Sequence, residues 1–144
     1  NVMIKNVSHK DKEIRREINQ AVGRPLSLLT RFKMGGNGSP RYTVREASPN
    51  IQTLLDKDNN TSVANIELRP EGVVLGFRSR LDSYAWVIPY HQLQVFKNAG
   101  LVSIYGGEEF MKLEIKDNFR DQGRFIRRLL HYKAQYSAGE AMPV

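Results

Sequence analysis

Four arginines and a histidine, Arg120, Arg124, Arg127, Arg128 and His131, fall close together near the end of this chain. Wound at about 100° per residue they form one narrow stripe on a helix. Guanidinium groups so arranged can meet phosphates, whether of a nucleic acid or of an anionic membrane. The plainer reading is a solvated helix face, with Asp117 and Asp121 offsetting part of its charge at i,i+3 and i,i+4 spacing.

A second cluster is aromatic. The stretch YAWVIPYHQL, residues 84–93, holds the only Trp and two of the six Tyr. Tyr84, Trp86 and Tyr90 can form a stacking surface for bases or a peptide. Burial of Trp86 and Ile88 on one shared strand face explains the same residues more simply, because large aromatics dominate core burial. Tyr90 and His91, beside Pro89, are the pair expected to be exposed at a corner.

Catalytic chemistry finds little here. His9, His91 and His131 stand at no metal-ligand spacing, and no acidic residue is arranged around any of them. GGNGSP, residues 35–40, lacks the Gly-Lys-Ser/Thr ending of a phosphate loop and reads as a turn. Glu108 and Glu109 are adjacent, so a strand would send them to opposite faces, and GGEE reads as a turn. Zero Cys excludes disulfides, thiolate metal sites and Cys nucleophiles. No catalytic or metal-ligating residue emerges, and no cofactor is expected.

The 144 residues suit one domain, and 40% hydrophobic with 26% charged residues is the balance of a folded globular chain. No apolar run approaches the ~20 residues that span a bilayer. The opening NVMIKNVSHKDKE has no apolar segment followed by a small-residue cleavage site, so a cytoplasmic location is the expectation. The net charge of +7 is uneven: residues 1–46 carry ten Lys/Arg against four Asp/Glu, and 47–118 carry seven against nine. A polyanion-binding surface is therefore expected from the two ends.

The elements that must position these groups follow from periodicity. SHKDKEIRREINQAVG reads as a basic N-terminal helix within residues 1–24, started by Ser8 and Asp11 and ended by Gly23 and Pro25. Its narrow apolar stripe, Ile14, Ile18, Ala21 and Val22, makes it peripheral. LSLLTRFKM alternates like a strand and pairs with RYTVRE in an expected hairpin, a short helix from Pro25 being the rival. ASPNIQTLLDKDNNT is a polar connection with room for one helical turn around Ile51, Leu54 and Leu55. Short strands separated by Gly, Asn and Asp turns then fill the body to residue 117. NFRDQGRFIRRLLHYKAQYS closes the chain as an amphipathic helix over 118–136, with Asn118 as N-cap and Phe119, Phe125, Ile126, Leu129, Leu130, Tyr132 and Tyr136 on its apolar arc. Residues 137–144 form a loose tail. The fold class is α+β, mainly β: a small antiparallel barrel or sandwich capped by a C-terminal helix, in a single domain over 1–144.

In IELRPEGVVLGFRSR, WVIPYHQLQVF and GLVSIYGGEEFMKLEI the rhythm of strands, Glu-Gly turn and Ile-Pro-Tyr step resembles bacterial PH-like and GRAM-like modules over about residues 61–136. The resemblance implies a PH-like barrel, whose family members mostly bind proteins or lipids and are rarely enzymes. It carries no site residue over. Pro89 fits such a barrel as a corner, since proline cannot donate to a ladder. The leading functional expectation is a non-enzymatic interaction module, for a protein partner or a second copy. Nucleic-acid binding through the basic ends comes next, then association with an anionic membrane, and an enzyme last.

Overall fold

The computed structural model describes residues 3–57, 61–116 and 120–140. Asn118 as N-cap, Phe119 on the apolar arc and the offsetting Asp117 lie outside the described residues, as does 141–144 of the expected tail. The chain begins with β1 (Ile4–Asn6), α1 (Lys12–Val22), α2 (Leu28–Met34), β2 (Tyr42–Ala47) and α3 (Pro49–Leu55). It continues through β3 (Val63–Arg69), β4 (Gly72–Ser79) and β5 (Asp82–Pro89), then a short 3₁₀ turn, Tyr90–Gln92. The last elements are β6 (Leu93–Asn98), β7 (Leu101–Gly106), β8 (Glu109–Glu114) and α4 (Arg120–Ser137).

The eight strands among the described residues join one antiparallel sheet in the order β1-β5-β4-β3-β2-β8-β7-β6. Two meanders, β2 to β5 and β6 to β8, are stitched together where β2 pairs β8, Val44 opposite Leu113 and Ala47 opposite Met111. A bulge between Val44 and Glu46 bends that seam. The sheet curls until its two halves face each other, so that Ile88 of β5 packs onto Gly106 of β7, where any side chain would collide. Inward residues of both halves, among them Ile66, Leu75, Trp86, Ile104 and Met111, share one core with Phe125, Ile126 and Leu129 of α4. Trp86 is 1% exposed, a core residue as its strand alternation implies.

α1 starts at Asp11, whose carboxylate accepts from the backbone N–H groups of Glu13 and Ile14 at 2.9 and 3.3 Å. It covers the outer face of β4 and β5, burying Ile18 and Val22 against Val74, Ala85 and Val87. Each such side chain is worth about 1.5–3 kcal/mol when fully buried. The approach is possible because position 72 is glycine: a Cβ there would meet Val22 and the carbonyl of Ile88. Arg69, 8% exposed, fixes the far end of α1 by donating to Asn19 Oδ1 and the Gly23 carbonyl.

Three expectations change. The strands form neither a closed barrel nor two separate sheets but one open sheet. Closure would require β5 to pair with β6, and β5 already holds β1 on that edge, Ile4 opposite Trp86 and Asn6 opposite Tyr84. That first strand was itself hidden in a segment assigned to a basic helix. The expected hairpin over 26–46 is absent, because residues 28–34 are helical. Ser27 caps that helix through the Thr30 N–H, and Gly35, at φ +82°, ends it by donating to the Arg31 and Phe32 carbonyls. The connection at 47–61 does contain a helix, α3, which buries Ile51 and Leu55.

Tyr42, fully buried at the seam, donates its hydroxyl to the Gln122 carbonyl at 2.7 Å and so ties the sheet to α4. Burial pushes its phenol well above the ordinary range, against a smaller opposing effect of Arg128, and burial does the same to Tyr90. An unfolded chain releases these protons near pH 10 while the folded state holds them, so stability falls as pH rises past about 10. Denaturant titrations from pH 8 to 11 should show that decline, and it should be shallower in Tyr42→Phe. At neutral pH the same substitution should cost about 0.5–1.5 kcal/mol.

Candidate functional site

α4 positions the arginine stripe. Its inner face is fixed by Phe125, Ile126 and Leu129 and by Gln122, whose side chain donates to the Arg41 carbonyl and accepts from the Lys116 N–H. The opposite face presents Arg120, Arg124, Arg127 and His131, all exposed. Arg128, expected on that stripe, turns away from it. Its Nη1 donates to the carbonyls of Met34 and Gly36, both at 2.9 Å, and its guanidinium lies 5.4 Å from the Phe125 ring centre. The Nε of Arg128 is buried without an acceptor among the described residues. A residue one position off the stripe's axis meets whatever crosses the helix there, and what crosses is the end of α2. Arg128 is a tie between helices, not a free anion ligand.

The corner also divides the expected pair. Pro89 is the last residue of β5, opposite Gly72, and the 3₁₀ turn after it redirects the chain to β6. His91 is exposed and belongs to no group of three His, Asp or Glu among the described residues. Tyr90 is not exposed: at 2% it lies against Tyr136 of α4, ring centres 5.3 Å apart, with its hydroxyl donating to the Arg69 carbonyl at 3.4 Å. The turn points it inward, where a phenol seals the join between the two meanders. Tyr84 is likewise committed, stacked on Phe77 at 5.6 Å.

Sequence reasoning passed over a different aromatic group. Phe96, Tyr105 and Phe110 run across the outer face of β6, β7 and β8, with centres 5.7 and 5.8 Å apart. Phe96, at the free end of this ladder, is 56% exposed. The signal was present in the alternation, since Val95, Ile104 and Met111 are the core-facing neighbours of these three residues. β6 is the last strand of the sheet order, and no described strand pairs its outer edge. The β6–β7 turn is two residues long, Ala99 and Gly100, both with positive φ at +45° and +84°. Such a turn makes Asn98 and Leu101 a hydrogen-bonded pair, and by alternation Phe96 with Ser103 another. The backbone groups of Val95 and Lys97 therefore point away from β7, along an edge that no described strand pairs. The neighbouring Leu93 N–H is already taken by the Tyr90 carbonyl.

Other concavities offer less. A cleft of about 620 Å³ lies beside α1 on the outer face of β3 to β5, lined by Asn65, Gly76, Arg78 and Tyr84. Glu109 is buried at 3%, but as an acceptor for the Ser48 hydroxyl and the Asn50 amide at the start of α3, which is a structural role. No group of three His, Asp or Glu converges among the described residues.

Comparison with family models, with curated proteins and with solved structures gives no match.

The different duties of two adjacent arginines can be measured. Arg128→Ala should lower stability by about 1–3 kcal/mol, as two carbonyls at the end of α2 lose their charged donor. Arg127→Ala should stay within about 0.5 kcal/mol of wild type, as an exposed position does. Thermal unfolding of the two variants side by side gives the contrast.

Proposed function

We propose that this protein is a non-enzymatic interaction module of PH-like architecture that takes another polypeptide as an added strand at β6. The observation that carries this reading is the free edge itself. Val95 and Lys97 offer backbone donors and acceptors, and beside them stands the exposed ring of Phe96. Main-chain pairing supplies affinity in such additions, and a pocket or platform for alternate side chains supplies specificity. Here the platform is Phe96 with Tyr105 and Phe110 behind it. Support for the PH-like part comes from the run of antiparallel strands closed by one amphipathic C-terminal helix, the arrangement that the resemblance over residues 61–136 implies. Proteins blunt free edges with very short strands, bulges or charge. β1 at the opposite edge is three residues long, whereas β6 has six residues with a single charge, Lys97.

The added strand can come from a second copy. A two-fold pairing centred on Phe96 sets Phe96 on its mate and Lys97 opposite Val95, so no like charges meet. Nucleic-acid binding by the stripe of Arg120, Arg124, Arg127 and His131 is the competing reading.

Peptides selected from a random displayed library against the wild-type protein should bind in extended form and shift the amide resonances of Val95 to Lys97. Lys97→Pro removes an outward N–H without touching the β6–β7 ladder, and should weaken these peptides at least about tenfold, as loss of a hydrogen bond and of strand fit implies. Lys97→Ala should bind them as wild type does. Sedimentation velocity of wild type and Phe96→Ala reports whether a second copy is the partner. If no peptide or self-association is found while labelled RNA or DNA binds with strong salt dependence, the edge reading fails and the arginine stripe replaces it.

A further inference from the structure

α2 is amphipathic in the wrong direction for a helix that serves only to pack. Leu28, Leu29 and Phe32 are 78%, 63% and 86% exposed, whereas the side turned to the body carries Thr30, at 8%, with Met34 half-buried. At 100° per residue the three apolar residues span one arc and Thr30 lies opposite it. A helix folded by burial alone would be rolled over.

The inversion is held in place at both ends. Leu26, 1% exposed, anchors the entry, and Arg31 Nε donates back to its carbonyl at 2.9 Å. Ser27 caps the start and the left-handed Gly35 caps the end. Arg128 of α4 grips the Met34 and Gly36 carbonyls. Exposed apolar side chains grouped on one helix face mark a contact surface.

Charge says what the surface meets. Lys33 is exposed on the same helix, and Arg124 lines, with Arg128, Met34, Gly35 and Ser39, a cleft of about 580 Å³ at the end of α2. Asp121 is the one acidic residue among the described residues that line it. Arg120 and Arg127 continue the cations along α4. Protruding Leu and Phe edged by Lys and Arg fit the boundary between acyl chains and phosphate headgroups, where the apolar part enters and the cations stay at the phosphates.

We propose that α2 is a membrane anchor: Leu28, Leu29 and Phe32 insert into an anionic lipid bilayer while Lys33, Arg124 and the exposed cations of α4 hold lipid phosphates. The anchor uses residues distinct from the β6 edge.

The test is co-sedimentation of the full chain with vesicles of phosphatidylcholine, with and without phosphatidylserine, at low and high salt. The expected result is binding that requires phosphatidylserine and weakens with salt. Phe32→Glu should reduce it by at least about tenfold, since burying one Phe side chain is worth more than a factor of ten, and Arg124→Glu with Arg127→Glu should remove its phosphatidylserine dependence. All five positions tested or inserted are exposed, and unchanged circular dichroism confirms that the variants fold. Three outcomes overturn the proposal. The first is no binding by wild type to phosphatidylserine vesicles at low salt. The second is binding that the arginine reversals abolish and Phe32→Glu leaves intact, which would be charge attraction without insertion. The third is a wild-type dimer that Phe32→Glu makes monomeric with no vesicle binding, which would assign the tip to a second copy.

Discussion

The pairing of β2 with β8 is the contact on which the architecture rests. Its partners are about seventy residues apart in sequence, Val44 with Leu113 and Thr43 with Glu114. Closing so long a loop costs chain entropy before any ladder bond repays it. What repays it is convergence. Among the described residues the two meanders share a strand ladder only along this seam, and the bulge beside Arg45 bends it so that both inner faces look into one core. Tyr42 then reaches from the seam to the first turn of α4. The helix is thereby placed by the seam and not only by its own apolar arc. Gly106, which leaves room for Ile88, allows the halves to come as close as they do.

Where α4 lies decides what its arginines do. Four residues in a stripe look equivalent when only helical angle is considered. In the fold Arg128 alone is overhung by the end of α2, and it becomes a bridge whose charge is spent on two carbonyls. The bridge in turn fixes α2 with its apolar side outward. Local capping at Ser27 and Gly35 specifies that a helix exists there, but its roll about its own axis comes from Leu26 and Arg128. An exposed apolar tip and a row of unspent cations are thus products of one tertiary contact.

Much of the body was legible in the sequence. Strands β3 to β8 follow from alternation and turn residues, Trp86 from its place on the core-facing side, and Pro89 from its inability to donate to a ladder. The terminal helix is announced by its apolar arc. What escaped was short or ambiguous. Three residues, Ile4–Asn6, are too few for a period to show, and they form a strand only because β5 supplies a waiting edge. Leu28, Thr30 and Phe32 alternate as a strand would, and capping at both ends outweighed that pattern. Tyr90 was misjudged because a corner residue can turn either way, and here Tyr136 gives its ring a place inside.

The candidate edge shows the same division. Alternation alone assigns Phe96, Tyr105 and Phe110 to the side away from the core, and a two-residue turn at Ala99–Gly100 settles which backbone groups face outward. These are local consequences of side-chain period and φ, so they are written in the sequence. That β6 ends the sheet, that β1 takes the other edge and prevents closure, and that Arg128 leaves its stripe are contacts between segments far apart in the chain. They depend on which surfaces arrive together, and no local pattern carries that information.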